Sequence, residues 1–256
     1  MSEEASLRAR IGSLRADDIN QSLGFHSWVS DGRRYVYMAV PKVACSRIKL
    51  SLHLLEGGAE PASLGDIHEE GTRLAAYGDA EAAERLGSGD WLRFCFVRNP
   101  YDRLVSAYKT QIGNTWNDEY DWVKEEVREA CAYPASARAD GRLVAFRDFV
   151  RYLGDAPEQV RRDGHFNLQT NILMPDAVAY DLVGRFEDFA ADFSRVLRRL
   201  DAAPEVLATA SEAKNSTPFV QAALVYDREL AERVFELYRA DFERYGYDRD
   251  SWMVER

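Results

Sequence analysis

Apolar residues recur along this chain with two periods, and the changes of period mark its elements. Trp28-Val29 and Arg34-Tyr35-Val36-Tyr37-Met38-Ala39-Val40 are dense in β-branched and aromatic residues and flank Asp31-Gly32. Asp-Gly between such runs predicts a hairpin. Beyond Ser46 the spacing turns helical: Ile48, Leu52 and Leu55 share a face, and Gly57-Gly58 supplies a stop. Trp91-Leu92-Arg93-Phe94-Cys95-Phe96-Val97 reads as the next strand. Asn99 suits a helix N-cap and Pro100 the first helical position. Tyr101, Leu104, Val105, Tyr108 and Ile112 then form one stripe, and Ser106 lies off it, so packing does not account for that serine. Residues 114–163 read as helical with polar interruptions. Residues 178–184 read as a further strand, with a helical stripe after it at Phe186, Phe189, Phe193, Val196 and Leu200. Residues 226–245 predict one long amphipathic helix, and the polar residues 1–24 a peripheral helix and loop. Strands alternating with helices imply an α/β fold whose central sheet is mostly parallel.

At 256 residues the chain is long enough to bury a sizeable core, and one domain spanning 1–256 is expected. A net charge of −10 argues against a general nucleic-acid binder, while leaving room for a local basic cleft. No apolar run approaches membrane-spanning length. The start, Met1-Ser2-Glu3-Glu4, lacks the basic and apolar regions of a signal peptide. Cys45, Cys95 and Cys131 show neither metal-ligand spacing nor a disulfide framework, which fits a reducing cytoplasm and no metal. Cys45 sits at a helix start, where a thiol can be reactive; its plainer role is a small residue that lets the loop pack.

Two segments carry the candidate chemistry: Val40-Pro41-Lys42-Val43-Ala44-Cys45-Ser46 and Phe96-Val97-Arg98-Asn99-Pro100-Tyr101-Asp102-Arg103-Leu104-Val105-Ser106-Ala107-Tyr108. Each places a cation, Lys42 or Arg98, where a strand gives way to a helix. Such a junction offers backbone N–H groups and the positive end of a helix dipole, so it suits a phosphate or sulfate. Two of them suit a ligand with two separated anionic groups. The first is not a Walker A loop, because residues 41–46 contain no glycine.

Pro-Lys-Val-Ala-Cys-Ser-x-Ile-Lys closely resembles the 5′-phosphosulfate loop of sulfotransferases that use 3′-phosphoadenosine 5′-phosphosulfate (PAPS). The nearest likeness is to the carbohydrate branch containing the chondroitin, dermatan and HNK-1 enzymes. The second segment resembles that branch's 3′-phosphate loop. His165-Phe166-Asn167-Leu168-Gln169-Thr170, Asp181-Leu182-Val183-Gly184-Arg185-Phe186-Glu187 and the closing Tyr245-Gly246-Tyr247 extend the likeness over about residues 28–250. The resemblance implies a P-loop-like, three-layer α/β/α sulfotransferase domain. PAPS would be the donor, phosphoadenosine phosphate the product and a carbohydrate hydroxyl the acceptor. Animal members usually carry an N-terminal membrane anchor and lumenal disulfides; neither pattern is read here, which favours a cytoplasmic, bacterial-type enzyme with no membrane or nucleic-acid partner.

Roles follow residue by residue. Lys42 meets the charge that grows on the leaving 5′-phosphate, where binding the transition state more tightly accelerates transfer. Pro41, Val43, Ala44, Cys45 and Ser46 form the loop that cradles that phosphate. Arg47 and Lys49 either line the sulfate or face water. The resemblance assigns the 3′-phosphate to Arg98 and Ser106, and the guanidinium fork suits it. A hydroxyl acceptor needs a base. His68 lies in the interval where related enzymes hold a functional histidine and ranks first. His165 opens a block resembling the family's His-Trp-x-Pro-Gln and ranks second, ahead of a carboxylate. His26 and His53 read as structural or exposed. Lys214, in Lys214-Asn215-Ser216-Thr217, is placed near cofactor or acceptor by resemblance, with a plain connecting loop as the other reading. A divergent nucleotide-dependent kinase and a non-catalytic phosphonucleotide- or sulfated-glycan-binding module are the competing functions.

Overall fold

The computed structural model describes residues 23–63, 65–134, 143–156, 158–202 and 225–253. They fall into two compact units, one drawn from residues 1–98 and 169–216, the other from 99–168 and 217–256.

The first unit is built on a sheet. Ser27–Ser30 (β1) and Tyr35–Met38 (β2) pair antiparallel, with Trp28 opposite Tyr37. The hairpin stands where Asp31-Gly32 placed it, but the reversal takes four residues, and the left-handed one is Arg34 (φ 51°), at its end. The Ser30–Tyr35 pair closes the ladder around all four, a longer loop than Asp-Gly alone would make. Chain leaving β2 turns over 41–44 into Cys45–Leu55 (α1), whose Ile48, Leu52 and Leu55 are buried as their spacing required. Gly57, at φ 82°, follows its end. Asp79–Gly87 (α2) leads to Leu92–Val97 (β3), parallel to β2 with Tyr37 opposite Phe94 and the two rings stacked at 5.0 Å.

Leu182–Arg185 (β4) adds in parallel beyond β3, giving the order β1-β2-β3-β4. Every residue of β2 and β3 is buried, as expected of strands covered on both faces. The strand expected over 178–184 begins only at Leu182. Just before it, the Asp181 backbone N–H still donates to the Arg93 carbonyl (2.8 Å), and the Asp181 carboxylate takes the Arg93 backbone N–H (2.8 Å) and guanidinium (2.9 Å), so a side chain closes the end of the ladder. Gly184 is required by contact: a Cβ there would lie 2.3 Å from the Phe96 ring. The helix Phe189–Arg199 buries Phe189, Phe193, Val196 and Leu197, while Phe186 stands ahead of it in a turn. A mixed four-stranded sheet flanked by helices is thus the α/β architecture the alternation predicted.

The second unit is helical. Asn99 caps Pro100–Ala107 (α3), its Oδ1 accepting the Tyr101 N–H at 3.0 Å. Asp121–Ala130 (α4), Phe146–Asp155 (α5), Arg228–Leu237 (α6) and Arg239–Tyr245 (α7) complete it. Tyr101, Leu104, Val105, Val127, Phe149, Val234 and Phe242 share its core; each fully buried side chain of this size contributes about 1.5–3 kcal/mol. The single helix expected over 226–245 is broken at Tyr238 (φ −113°), between α6 and α7. Its buried hydroxyl donates to the Phe166 carbonyl at 2.7 Å, a tertiary contact that periodicity does not report. Among the described residues no helix is long and apolar enough to cross a membrane.

Candidate functional site

The loop leaving β2 holds two non-glycine residues in the left-handed region, Lys42 (φ 67°) and Ala44 (φ 56°), one on each side of the buried Val43. Each such residue costs on the order of 1–3 kcal/mol and persists only where its surroundings enforce it. A turn of this kind gathers backbone N–H groups into a concavity that favours anions. Ala44 caps α1 without any side-chain hydrogen bond, so the positive helix end is not closed by its own cap. Arg98 holds the loop from β3: its Nη1 donates to the Lys42 carbonyl at 3.0 Å. Arg98 is 8% exposed, and its guanidinium lies 4.1 Å from the centroid of the Phe186 ring. Gln169, wholly buried, fixes the Arg98 backbone from both sides, accepting its N–H and donating to its carbonyl, each at 2.9 Å. Arg47 is half-buried with its guanidinium 4.7 Å over the Phe189 ring, and burial lowers its pKa.

His68, at the end of the 3₁₀ turn Asp66–His68, reaches the same loop. Its Nε2 stands 2.8 Å from Ser46 Oγ and its Nδ1 3.2 Å from Lys49 Nζ. Arg73 pins the turn by donating to the His68 carbonyl and, at 2.8 Å, to that of Phe25. Lys49 does not face water: it is 5% exposed, packed with its ammonium 5.3 Å from the Trp28 ring. α1 carries its apolar face into the core, and Lys49, next to Ile48, goes in beside it. Burial pushes the Lys49 ammonium down to about 8; Cys45 and Glu69 oppose that shift and Arg73 adds to it. His26 is buried and its backbone carbonyl accepts the Ala39 N–H, and His53 Nε2 meets the Ala59 carbonyl at 3.0 Å.

Ser106 and His165 belong to the helical unit. Ser106 is half-buried on α3, and its carbonyl accepts from Thr110 at 3.0 Å. His165 Nδ1 lies 3.0 Å from Asp163 Oδ1 and 2.9 Å from the Tyr120 oxygen, while Tyr120 donates to Asp163 Oδ2 at 2.9 Å. Burial alone would raise the Asp163 pKa; the hydrogen bonds and charge of His165, with Tyr120, outweigh it and hold the carboxyl below its ordinary range. Burial and then Asp163 push the Tyr120 hydroxyl up. Arg103, 1% exposed, fixes the segment by donating to the Asn167 (2.8 Å) and Gly164 (2.7 Å) carbonyls.

Pro41, Lys42, Val43, Ala44, Cys45, Ser46, Arg47, Arg98 and His68 therefore share the sheet unit, and Lys214 lies outside the described residues. Sequence reasoning gave no role to Gln169, Arg103 or Asp163. The first two sat inside motifs already singled out, and Asp163 stood two residues before a candidate histidine. Among the described residues no three His, Cys, Asp or Glu side chains form a metal-holding group.

An α/β sheet with a left-handed, lysine-bearing loop at the end of β2 has a shape and charge that suit a phosphate or sulfate. The family profile of the sulfotransferase family matches residues 25–248, and the chain belongs to that family. It is 33% identical over 230 residues to carbohydrate sulfotransferase 14 of Homo sapiens, covering 87% of this chain and 60% of that protein. It is 27% identical to carbohydrate sulfotransferase 11 of Rattus norvegicus (89% and 68% covered) and to carbohydrate sulfotransferase 10 of Danio rerio (89% and 67%). The chain thus spans about three fifths of the length of the first of these relatives. No solved structure matches it significantly.

Proposed function

We propose that the chain transfers a sulfuryl group from PAPS to a hydroxyl of a carbohydrate, in line and with a histidine base. The observation that carries this reading is the 41–46 loop: two left-handed residues, an open helix start and Lys42, cross-tied by Arg98. Those residues fit a phosphosulfate, since the loop offers N–H groups and a cation to one anionic group and Arg98 offers a cation to a second. The names of the relatives support a carbohydrate acceptor.

In this reading Ser46 and the loop N–H groups orient the 5′-phosphate. The acceptor oxygen bonds to sulfur while the bond from sulfur to the phosphate oxygen breaks. That oxygen keeps the electron pair, and Lys42 stabilises the charge it gains. His68 Nε2 takes the acceptor proton. Arg98 receives the 3′-phosphate; the resemblance alone gives Ser106 a share in it. One specific observation favours His165 as a second base candidate: Asp163 holds its Nδ1.

The test is an assay of the purified chain against a panel of carbohydrate acceptors, with PAPS or ATP as donor. Sulfated product with PAPS and none with ATP is expected. Phosphorylated product with ATP would replace the reading with a kinase. Tight phosphoadenosine phosphate binding with no transfer to any acceptor would reduce it to a binding module.

A further inference from the structure

We propose that Lys49 is the positioning residue that sets the tautomer of His68, and so decides whether Nε2 donates a proton at Ser46 or can accept one there. The inference rests on the reading of His68 as a base and specifies what controls it. An ammonium has donors and no acceptor. At 3.2 Å, a charged Lys49 donates to the Nδ1 lone pair, which places the single proton of a neutral imidazole on Nε2. Nε2 then donates to Ser46 Oγ, 2.8 Å away, and has no lone pair for an acceptor hydroxyl. When Lys49 loses its proton, its amine lone pair can take a hydrogen bond from Nδ1–H. The imidazole proton moves to Nδ1, and Nε2 becomes the acceptor, first of the Ser46 hydroxyl and then of the substrate's.

The surroundings make this exchange accessible. Lys49 is 5% exposed and lies under the Trp28 ring of β1. The charged and titratable groups around it are Cys45, one turn earlier on α1, Arg73 and Glu69 from the segment after His68, and His68 itself. Cys45 and Glu69 favour the ammonium, while Arg73 and burial disfavour it more strongly, bringing its titration down to about 8. The pair is thus built from a lysine that can be either donor or acceptor and a histidine that answers it. Ser46 belongs to the phosphate loop, so the state of Lys49 is relayed to the side chain beside the proposed transfer.

The experiment is nitrogen NMR of the full chain labelled at histidine, with His68→Gln used to assign the ring. In a neutral imidazole the nitrogen without hydrogen resonates far downfield of the one that carries it. From pH 7 toward 10 the downfield nitrogen of His68 should change from Nδ1 to Nε2, with a midpoint near 8. Lys49→Arg, whose guanidinium stays charged, should hold Nε2–H across the whole range. Lys49→Met should abolish the pH-dependent exchange. If Lys49→Met does not fold, the wild-type pH series decides alone. A wild-type tautomer constant across this range, or an exchange that persists in Lys49→Arg, overturns the proposal. If the chain transfers sulfuryl groups, its rate should rise with pH and level off above about 8. Lys49→Arg should then lose at least about 10²-fold, the lower bound of a base's contribution. Failure of turnover with a switching tautomer would overturn the enzymatic reading and leave the lysine–histidine coupling standing. Turnover with a fixed tautomer would do the reverse.

Discussion

His68 has a lysine at its Nδ1 and a serine hydroxyl at its Nε2, whereas His165 has a carboxylate and a phenol oxygen at its Nδ1. The neighbour of one ring nitrogen determines what the other can do. Two oxygen acceptors require a hydrogen on Nδ1 of His165, so its neutral form keeps Nε2 as a lone pair for as long as Asp163 is ionised. A lysine allows either tautomer at His68, depending on its own charge. The supports differ too. The His165 segment is gripped by Arg103 and the Tyr238 hydroxyl, while the His68 turn is held by Arg73 and sits against Ser46 at the start of α1. One histidine is a fixed acceptor and the other a conditional one, placed at Ser46.

The sharpest way to break this contrast is to remove each ring. His68→Ala should lower turnover by about 10²–10⁴, the usual contribution of a base. Phosphoadenosine phosphate affinity, measured by calorimetry, should be almost unchanged, because the loops hold that ligand. His165→Ala should act more mildly and through the acceptor KM. The opposite pattern, with the large kcat loss in His165→Ala, would transfer the base to the carboxylate-held ring. Lys42→Ala separates charge stabilisation from proton transfer. It should cost about 10²–10³ in rate, as removal of an electrostatic stabiliser does, while leaving the shape of the pH–rate profile intact. A folded Lys42→Ala with near-normal turnover would exclude Lys42 as the leaving-group contact.

The two histidines also show where the sequence was readable. Strand β3, the Asn99 cap and the buried face of α1 followed from short-range patterns, and so did the placement of Lys42 and Arg98 after strands. His68 as a candidate depended on its interval in the family order. Its contact with Ser46 spans 22 residues and follows no periodicity. The burial of Lys49 was not legible because a lysine on an amphipathic helix ordinarily faces water; the Trp28 ring and the His68 turn cover it here. The break at Tyr238 and the late start of the strand expected over 178–184 were hidden by tertiary contacts too. Each depends on a hydrogen bond to a residue distant in sequence, Phe166 for one and Arg93 for the other.

Arg98 tests whether the sheet unit's second cation reads a phosphate or only braces the loop. The wild type should bind phosphoadenosine phosphate much more tightly than AMP, which lacks the 3′-phosphate. Arg98→Ala should lose about 1.5–3 kcal/mol of that preference, the worth of a charge-assisted contact. Equal affinities for the two nucleotides in the wild type would leave Arg98 a purely structural clamp on Lys42 and Gln169.

The smallest effects are in stability, and here the two clusters should differ in sign. Lys49 titrates in the folded state at about 8, below its ordinary 10.5. Between those values the unfolded chain binds the extra proton, so stability rises with pH through that window, and the cost of the buried ammonium is fully present below about 8. Lys49→Met should therefore raise stability at pH 7 by on the order of 1–3 kcal/mol, and the gain should shrink to nothing by about pH 10.5. Asp163 is depressed below its ordinary 3.8. Its contribution is present above that value and lost as pH falls through the folded one, so Asp163→Asn should destabilise at neutral pH by about 1–2 kcal/mol and become neutral in acid. Urea unfolding of both variants across pH measures this directly. A gain from Lys49→Met that is flat from pH 7 to 10.5 would mean that the ammonium is not desolvated where α1 meets the His68 turn, and the contrast between the two histidines would lose its cause.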